Sequence, residues 1–274
     1  MADSNHYAIR GGIEGRERLR TLSRVMHAST SSLLDRLNLH DGQICLDVGC
    51  GGGDATLEMA RRVAPLGRAV GVDIDQTKLE LASQEARQQG IANVEFRSLD
   101  IRTGDGSADF DVVYSRFLLT HLSDPANAVS AFCRHLRPGG FVAVEDIDFD
   151  GSFAFPASRA FARYRELYCA VVRGRGGDPT IGPRLPLLLE DCGFEHVEAC
   201  VVQPIGTRGE VKLMNPLTME NIADATVQDG LATREEVDHV VRELYEFAAD
   251  PKTITGLPRV VQAWGRRPAT ALVT

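Results

Sequence analysis

The chain has 274 residues, 43% apolar and 25% charged, which suits one large α/β domain with additions or two small domains. A formal net charge of −8, with no Lys/Arg-rich tail, argues against nucleic acid as the main partner. No apolar stretch reaches the roughly 18 residues of a membrane span, and Met1-Ala2-Asp3-Ser4-Asn5-His6 lacks the regions of a signal peptide, so a cytoplasmic protein with no membrane partner is expected.

Residues 1–40 read as an N-terminal lid and helix. Tyr7 and Arg10 precede the Gly11-Gly12 hinge and are candidate lid residues. Leu19, Leu22, Val25, Met26, Leu33, Leu34 and Leu37 then recur at helical spacing. His40-Asp41-Gly42 turns the chain into a strand over 43–46. That strand breaks into Asp47-Val48-Gly49-Cys50-Gly51-Gly52-Gly53-Asp54, and a helix follows over 55–63. A strand–glycine–helix passage brings backbone N–H groups and a positive helix end up to a ligand. Glycine allows both the φ > 0 turn and the close approach. A dinucleotide fingerprint wants Gly or Ala at its sixth position, counting Gly49 as the first, where Asp54 stands; a carboxylate there repels a pyrophosphate. The spacing Asp-x-Gly-x-Gly-x-Gly, with acids at both ends, suits a cationic, phosphate-free cofactor.

Strands and helices go on alternating: strand 69–73, helix 76–89, strand 94–98, a loop through Gly104-Asp105-Gly106, and strand 110–115. Asp75 is the expected cap of the helix over 76–89. Asp124-Pro125 opens a helix to 136, Arg137-Pro138-Gly139-Gly140 ends it, and an apolar strand spans 141–146. This order implies a parallel sheet covered on both faces, with ligands at the carboxyl ends of its strands. Beyond it come a helix over 158–172, a glycine-rich break at 173–177, a helix over 185–192 and a strand over 197–202. Two helices around 218–227 and 234–249 precede a last strand at 259–265. The aromatics of 153–168 and Trp264 read as core; lining a pocket instead, they would imply an apolar or aromatic ligand. Six scattered cysteines form no C-x-x-C pair, so no metal site is expected.

Asp47-x-Gly49-x-Gly51-x-Gly53 resembles the first motif of class I S-adenosylmethionine-dependent methyltransferases. Three later segments follow in that family's order, so the likeness covers about residues 43–148. It implies a Rossmann-like, seven-stranded, mostly parallel sheet with helices on both faces, an antiparallel last strand and a helical cap. Residues 41–205 and 259–274 would form the cofactor domain, and 206–258 a helical insert that helps to cap the substrate.

The resemblance also implies a cofactor, S-adenosylmethionine, with S-adenosylhomocysteine as product, and a small-molecule acceptor methylated on O, N, C or S. Gly49, Cys50 and Gly51 would meet the cofactor through their backbone, Cys50 as an N–H donor, while Asp47 organises the loop and the cofactor's ammonium. Asp73 would hold the ribose hydroxyls, with Ile74 beside it. Asp100 would accept from the adenine amino group and Ile101 pack on the ring. Ser115 and Arg116 would turn carbonyls to the methionine part, and Arg10 would reach its carboxylate. His121, where many related small-molecule enzymes carry a histidine, is the candidate catalytic residue, as a proton acceptor; the alternative is a histidine that packs beside the cofactor or holds the loop. Asp146 is a candidate to orient a substrate hydroxyl or amine. Two other readings share these motifs: an enzyme acting on nucleic acid or protein, and a protein of this fold that binds the cofactor without methylating. Ser115-Arg116-Phe117-Leu118 lacks the Asn/Asp-Pro-Pro-Tyr pattern of exocyclic-amine enzymes. The oligomeric state stays open, a homodimer included.

Overall fold

In the computed structural model, which describes residues 15–103 and 106–269, alternation dominates the first half of the chain. Helix α1 (Arg16–Arg36) leads to β1 (Ile44–Val48), α2 (Asp54–Arg62), β2 (Arg68–Asp73), α3 (Gln76–Gln88), β3 (Val94–Ser98), β4 (Phe110–Arg116), α4 (Pro125–His135) and β5 (Leu136–Asp148). Then follow β6 (Phe153–Phe155), α5 (Arg159–Gly174), α6 (Leu185–Asp191), β7 (Glu195–Val202), β8 (Ile205–Gly206), α7 (Glu210–Gln228), α8 (Arg234–Ala249), β9 (Ile254–Gly256) and β10 (Arg259–Arg266). Seven strands pair in the order β3-β2-β1-β4-β5-β10-β7, and β10 runs antiparallel to both its neighbours. This is the expected Rossmann-like sheet with an antiparallel last strand.

Alternate residues of the central strands point to opposite layers, as a pleated sheet buried on both faces requires. Leu46, Val48, Val70, Val72, Val113 and Val144 pack with α4 and α6. Cys45, Ala69, Val112, Tyr114 and Ala143 pack with Leu33, Leu34 and Leu37 of α1 and with Met59 and Ala60 of α2. Each fully buried Val, Leu or Phe of these layers contributes about 1.5–3 kcal/mol. The capping residues act as their types predict: Asp75 accepts from the Lys78 amide at 3.2 Å and Asp124 from that of Asn127 at 3.0 Å.

Three features depart from the sequence expectations. Strand β5 starts at Leu136, not 141, because Phe110 pairs with Leu136 and Val112 with Phe141. Arg137–Gly140 is thus a bulge in the ladder, not a break before it. Helix α7 starts at Glu210, well before 218, and runs through Pro216. The strands β6, β9 and β8 form a small antiparallel sheet that the sequence pattern does not announce.

A third apolar cluster lies over the end of β5. Ile147 and Phe149 meet Phe161, Tyr164 and Val171 of α5, Ile222 of α7, Val240 of α8 and Met26 of α1. The helical layer therefore draws on α1 and α5 as well as on the segment 206–258. Among the described residues, no helix is long and apolar enough to cross a membrane, and no group of three His, Cys, Asp or Glu could hold a metal ion.

Candidate active site

At the end of β1 the chain turns through Gly49, Gly51 and Gly53, all at positive φ. Gly53 is the most constrained. A Cβ there would stand 2.8 Å from the Ala82 methyl and from the Phe96 ring, so this position needs glycine both for its φ of +80° and for space. The loop is fastened to β2: the Gly49 and Cys50 amides both donate to Val72 O, at 2.8 and 3.0 Å. The Gly51 amide donates to Asp73 Oδ2 at 3.0 Å, and the Asp75 amide to Asp73 Oδ1 at 2.9 Å. The Cys50 amide is thus spent within the protein, which corrects its expected role as a donor to the cofactor. Its thiol is pushed up by burial and by the nearby Asp47 and Asp73 carboxylates, so it is no nucleophile.

A cavity of about 1220 Å³ opens at this loop and runs under the helical layer. Asp47, Gly49, Cys50, Gly51, Asp73, Ile74, Asp100, Ile101, Arg116 and His121 all line it. Ser115 does not; its hydroxyl donates to Val48 O at 2.9 Å and ties β4 to β1. Tyr7 and Arg10 lie outside the described residues. Ile74 is 60% exposed and Leu99 36%, large apolar side chains held at the cavity edge between Asp73 and Asp100. Such exposure beside two acids suits a flat, apolar-faced ring with polar edges.

The carboxylates differ in environment. Burial pushes Asp47 up to about 7, against the pull of the Thr56 hydroxyl that donates to it at 2.6 Å. Asp100 is held below its ordinary value by a fork from Arg102, with Nε at 2.9 Å and Nη2 at 2.7 Å. Arg116 sends Nη2 to Asp54 at 2.6 Å and Nη1 to Thr30 Oγ1 at 3.1 Å. Neither Arg102 nor the Arg116–Asp54 pair is visible in the motif pattern. Arg102 two residues after an acid is the one local signal that was available.

Past β4, a 3-10 turn over Leu119–His121 carries His121 to the cavity. Burial, then the charges of Arg18, Lys78 and Arg175, depress its imidazole to about 3, so it is neutral at physiological pH. Asp146 is not on the cavity wall. It is buried, pushed up to about 7 by that burial, and accepts from the Thr120 amide at 3.0 Å and the Ile147 amide at 2.8 Å. The expected contact of Asp146 with an acceptor is therefore replaced by a hold on the turn that presents His121.

The far end of the cavity is aromatic. Phe149 stacks on Tyr168 with centroids 4.2 Å apart and planes at 10°, and Tyr164 meets Phe149 edge-on at 5.8 Å. These rings belong both to the core of the helical layer and to the cavity wall. Arg18, Thr218 and Asn221 add polar groups there, and Arg18 Nε donates to Thr218 Oγ1 at 3.1 Å. None of the three stands out in the sequence, because their meeting depends on the crossing of α1 over α7.

The sequence model of a family described as a methyltransferase domain matches residues 39–175, half of the chain. An uncharacterized 37.1 kDa protein in transposon TN4556 of Streptomyces fradiae is 34% identical over 171 residues, 60% of this chain and 47% of that protein. The ubiquinone biosynthesis O-methyltransferase of Acinetobacter baylyi is 30% identical over 131 residues, 46% of this chain and 54% of that protein. The chain thus spans about half the length of these relatives. In fold it is similar to phosphoethanolamine N-methyltransferase 2 of Haemonchus contortus, solved with phosphomonomethylethanolamine and S-adenosylhomocysteine. The TM-score is 0.57 at 17% identity, covering 90% of this chain and 56% of that one.

Proposed function

The chain belongs to the class I S-adenosylmethionine-dependent methyltransferases, and we propose that it moves the cofactor's methyl group onto a small molecule held under its helical layer. The observation that carries this reading is the single cavity joining the glycine loop to the aromatic wall of Phe149, Tyr164 and Tyr168. The ubiquinone biosynthesis O-methyltransferase among the relatives supports a small-molecule acceptor.

In this reading Asp73 accepts from the ribose hydroxyls, while Ile74, Leu99 and Ile101 cover the base and Asp100 accepts from its amino group. Asp73 and the other acids around the loop favour a cationic ligand. When bound, S-adenosylmethionine supplies an electrophilic methyl group whose transfer neutralises a sulfonium. The protein's share is alignment and the exclusion of water by the helical layer. His121 offers a neutral ring nitrogen at the junction of the two halves. An imidazole this weakly basic orients an acceptor's O–H or N–H and is a poor store for its proton.

The test is calorimetric titration with S-adenosylhomocysteine, followed by transfer of labelled methyl into small-molecule, protein and RNA pools. Saturable binding with label confined to small molecules is expected. Label found only in protein or RNA overturns the acceptor class, and absence of cofactor binding overturns the whole reading. Tight binding without label in any pool counts against transfer.

A further inference from the structure

The carboxylates on the cavity wall are gathered at one end, where Lys78, Arg102 and Arg116 stand among them. All five carboxylates that line it, Asp47, Asp54, Asp73, Asp75 and Asp100, stand around the glycine loop and the ends of β2 and β3. Under the helical layer, the described lining residues include no Asp or Glu but do include Arg18 and Arg175. Arg175 has Asp229 at 3.9 Å, outside the wall. Arg18, in the first turn of α1, is half-buried and gives Nε to the neutral Thr218 hydroxyl; among the described residues it has no carboxylate partner. A guanidinium holds five N–H donors in a flat fork matched to an oxyanion, and Thr218 takes one of them.

We propose that the methyl acceptor is an anion, with a carboxylate or phosphate head group read by Arg18 and an apolar or aromatic body laid along Tyr164 and Tyr168. The inference rests on the reading above and goes further by naming the chemistry of the acceptor. A half-buried cation on an aromatic wall, with no carboxylate partner among the described residues, gains from a counter-charge. The cofactor adds a sulfonium to the same cavity and makes that gain larger. An anionic head group balances both and gains a charge-assisted, bidentate contact. One helical turn from Thr218, Asn221 gives its Nδ2 to Leu217 O at 2.8 Å and leaves Oδ1 buried without a partner. This Oδ1 accepts from an O–H or N–H on the acceptor body, which is how a buried orphan acceptor is satisfied.

The experiment uses the full chain saturated with S-adenosylhomocysteine and matched probes: 4-hydroxybenzoate against 4-hydroxybenzamide, phenylacetate against phenylacetamide, and phenyl phosphate against phenol. Calorimetry is expected to show at least one anion binding about tenfold to a hundredfold tighter than its neutral partner. Whether carboxylate or phosphate gains more tells which head group fits. Arg18→Gln should abolish the preference and leave the affinity for S-adenosylhomocysteine unchanged. Arg18→Lys, which keeps the charge without the fork, should retain a weaker preference and serves if the glutamine variant does not fold. Equal binding within every pair, or a preference that survives Arg18→Gln, overturns the proposal. So does a variant that loses S-adenosylhomocysteine as strongly as it loses the anions, since Arg18 would then serve the cofactor's own carboxylate. Failure of the parent chain to bind S-adenosylhomocysteine strikes the methyltransferase reading instead, and the two failures are thereby separate.

Discussion

Arg116, the last residue of β4, sets Nη2 2.6 Å from Asp54 Oδ2 in the first turn of α2. The carboxylate that breaks the dinucleotide fingerprint is therefore neutralised from the neighbouring strand. Its charge alone is a weaker barrier to an anion than the sequence suggests. What the loop withholds from a pyrophosphate is backbone: the amides of Gly49 and Cys50 are spent on Val72 O and that of Gly51 on Asp73. The exclusion of a dinucleotide stands, on hydrogen bonding as much as on charge.

Replacing Arg116 with Met should destabilise the protein by about 1.5–3 kcal/mol, the range for hydrogen bonds to charged groups. Its side chain is 11% exposed and that of Asp54 34%, so the stranded carboxylate partly regains water and the loss stays below that of a fully buried pair. Adding Asp54→Asn to Arg116→Met should recover part of the loss. Urea unfolding of the two variants measures this, and equal stability of the single and double variants would refute the coupling.

Asp73→Asn preserves shape and one acceptor but removes the charge that the Gly51 and Asp75 amides converge on. Affinity for S-adenosylhomocysteine should drop about tenfold to a hundredfold, with the melting temperature changed by only a few degrees. Calorimetry and a thermal scan separate the two effects. An unaltered dissociation constant would remove Asp73 from the site.

The order of strands and helices through β5 was legible because each element is long enough to show its period and is punctuated by Gly, Pro or a capping Asp. The β6–β9–β8 sheet was not, since runs of two or three residues have no period. Helix α7 hid its first turns because Lys212, Met214, Pro216 and Leu217 are all buried, so apolar and polar residues do not separate by face, and Pro216 mimics a boundary. That Asp73 and Asp100 reach the cavity wall follows from their place after a strand end, which topology fixes. Asp146, also at a strand end, stands off the wall, since sequence cannot tell whether a carboxylate there points to a cavity or to a neighbouring turn. Arg18 and Asn221 carry no motif; only the packing of α1 on α7 brings them to one wall.

The pH dependence of stability has opposed sources. For His121 the ordinary value of 6.5 falls to about 3 on folding, so below pH 6.5 the unfolded chain binds a proton that the native state refuses. This group removes stability as pH falls from 6.5 toward 3. Asp47 and Asp146 rise from 3.8 to about 7, so between those values the native state holds the extra protons and stability grows as pH falls. His121→Asn deletes the opposing group. The variant should gain about 2 kcal/mol more than the parent on going from pH 6.5 to 4.5. Urea midpoints at the two pH values give the comparison, and parallel changes in both proteins would show that His121 titrates normally.

Asp146→Ala separates positioning from contact. Its carboxyl accepts the Thr120 amide, and the Thr120 hydroxyl donates onward to Asp178 O at 2.8 Å, so the turn bearing His121 is clamped from β5 and from the loop after α5. Removing the carboxyl leaves the Thr120 and Ile147 amides buried without an acceptor, at a cost of about 1–3 kcal/mol each at most. Because Asp146 does not itself line the cavity and holds Thr120 and Ile147 of its wall and not the glycine loop, binding of S-adenosylhomocysteine should be kept within about threefold. Methyl transfer should fall by tenfold or more through kcat, since His121 and the acceptor lose their alignment while the cofactor does not. Asp146→Asn, which keeps an acceptor for Thr120, should restore much of the rate. A rise in the acceptor's KM with kcat intact would instead return Asp146 to direct contact with the substrate.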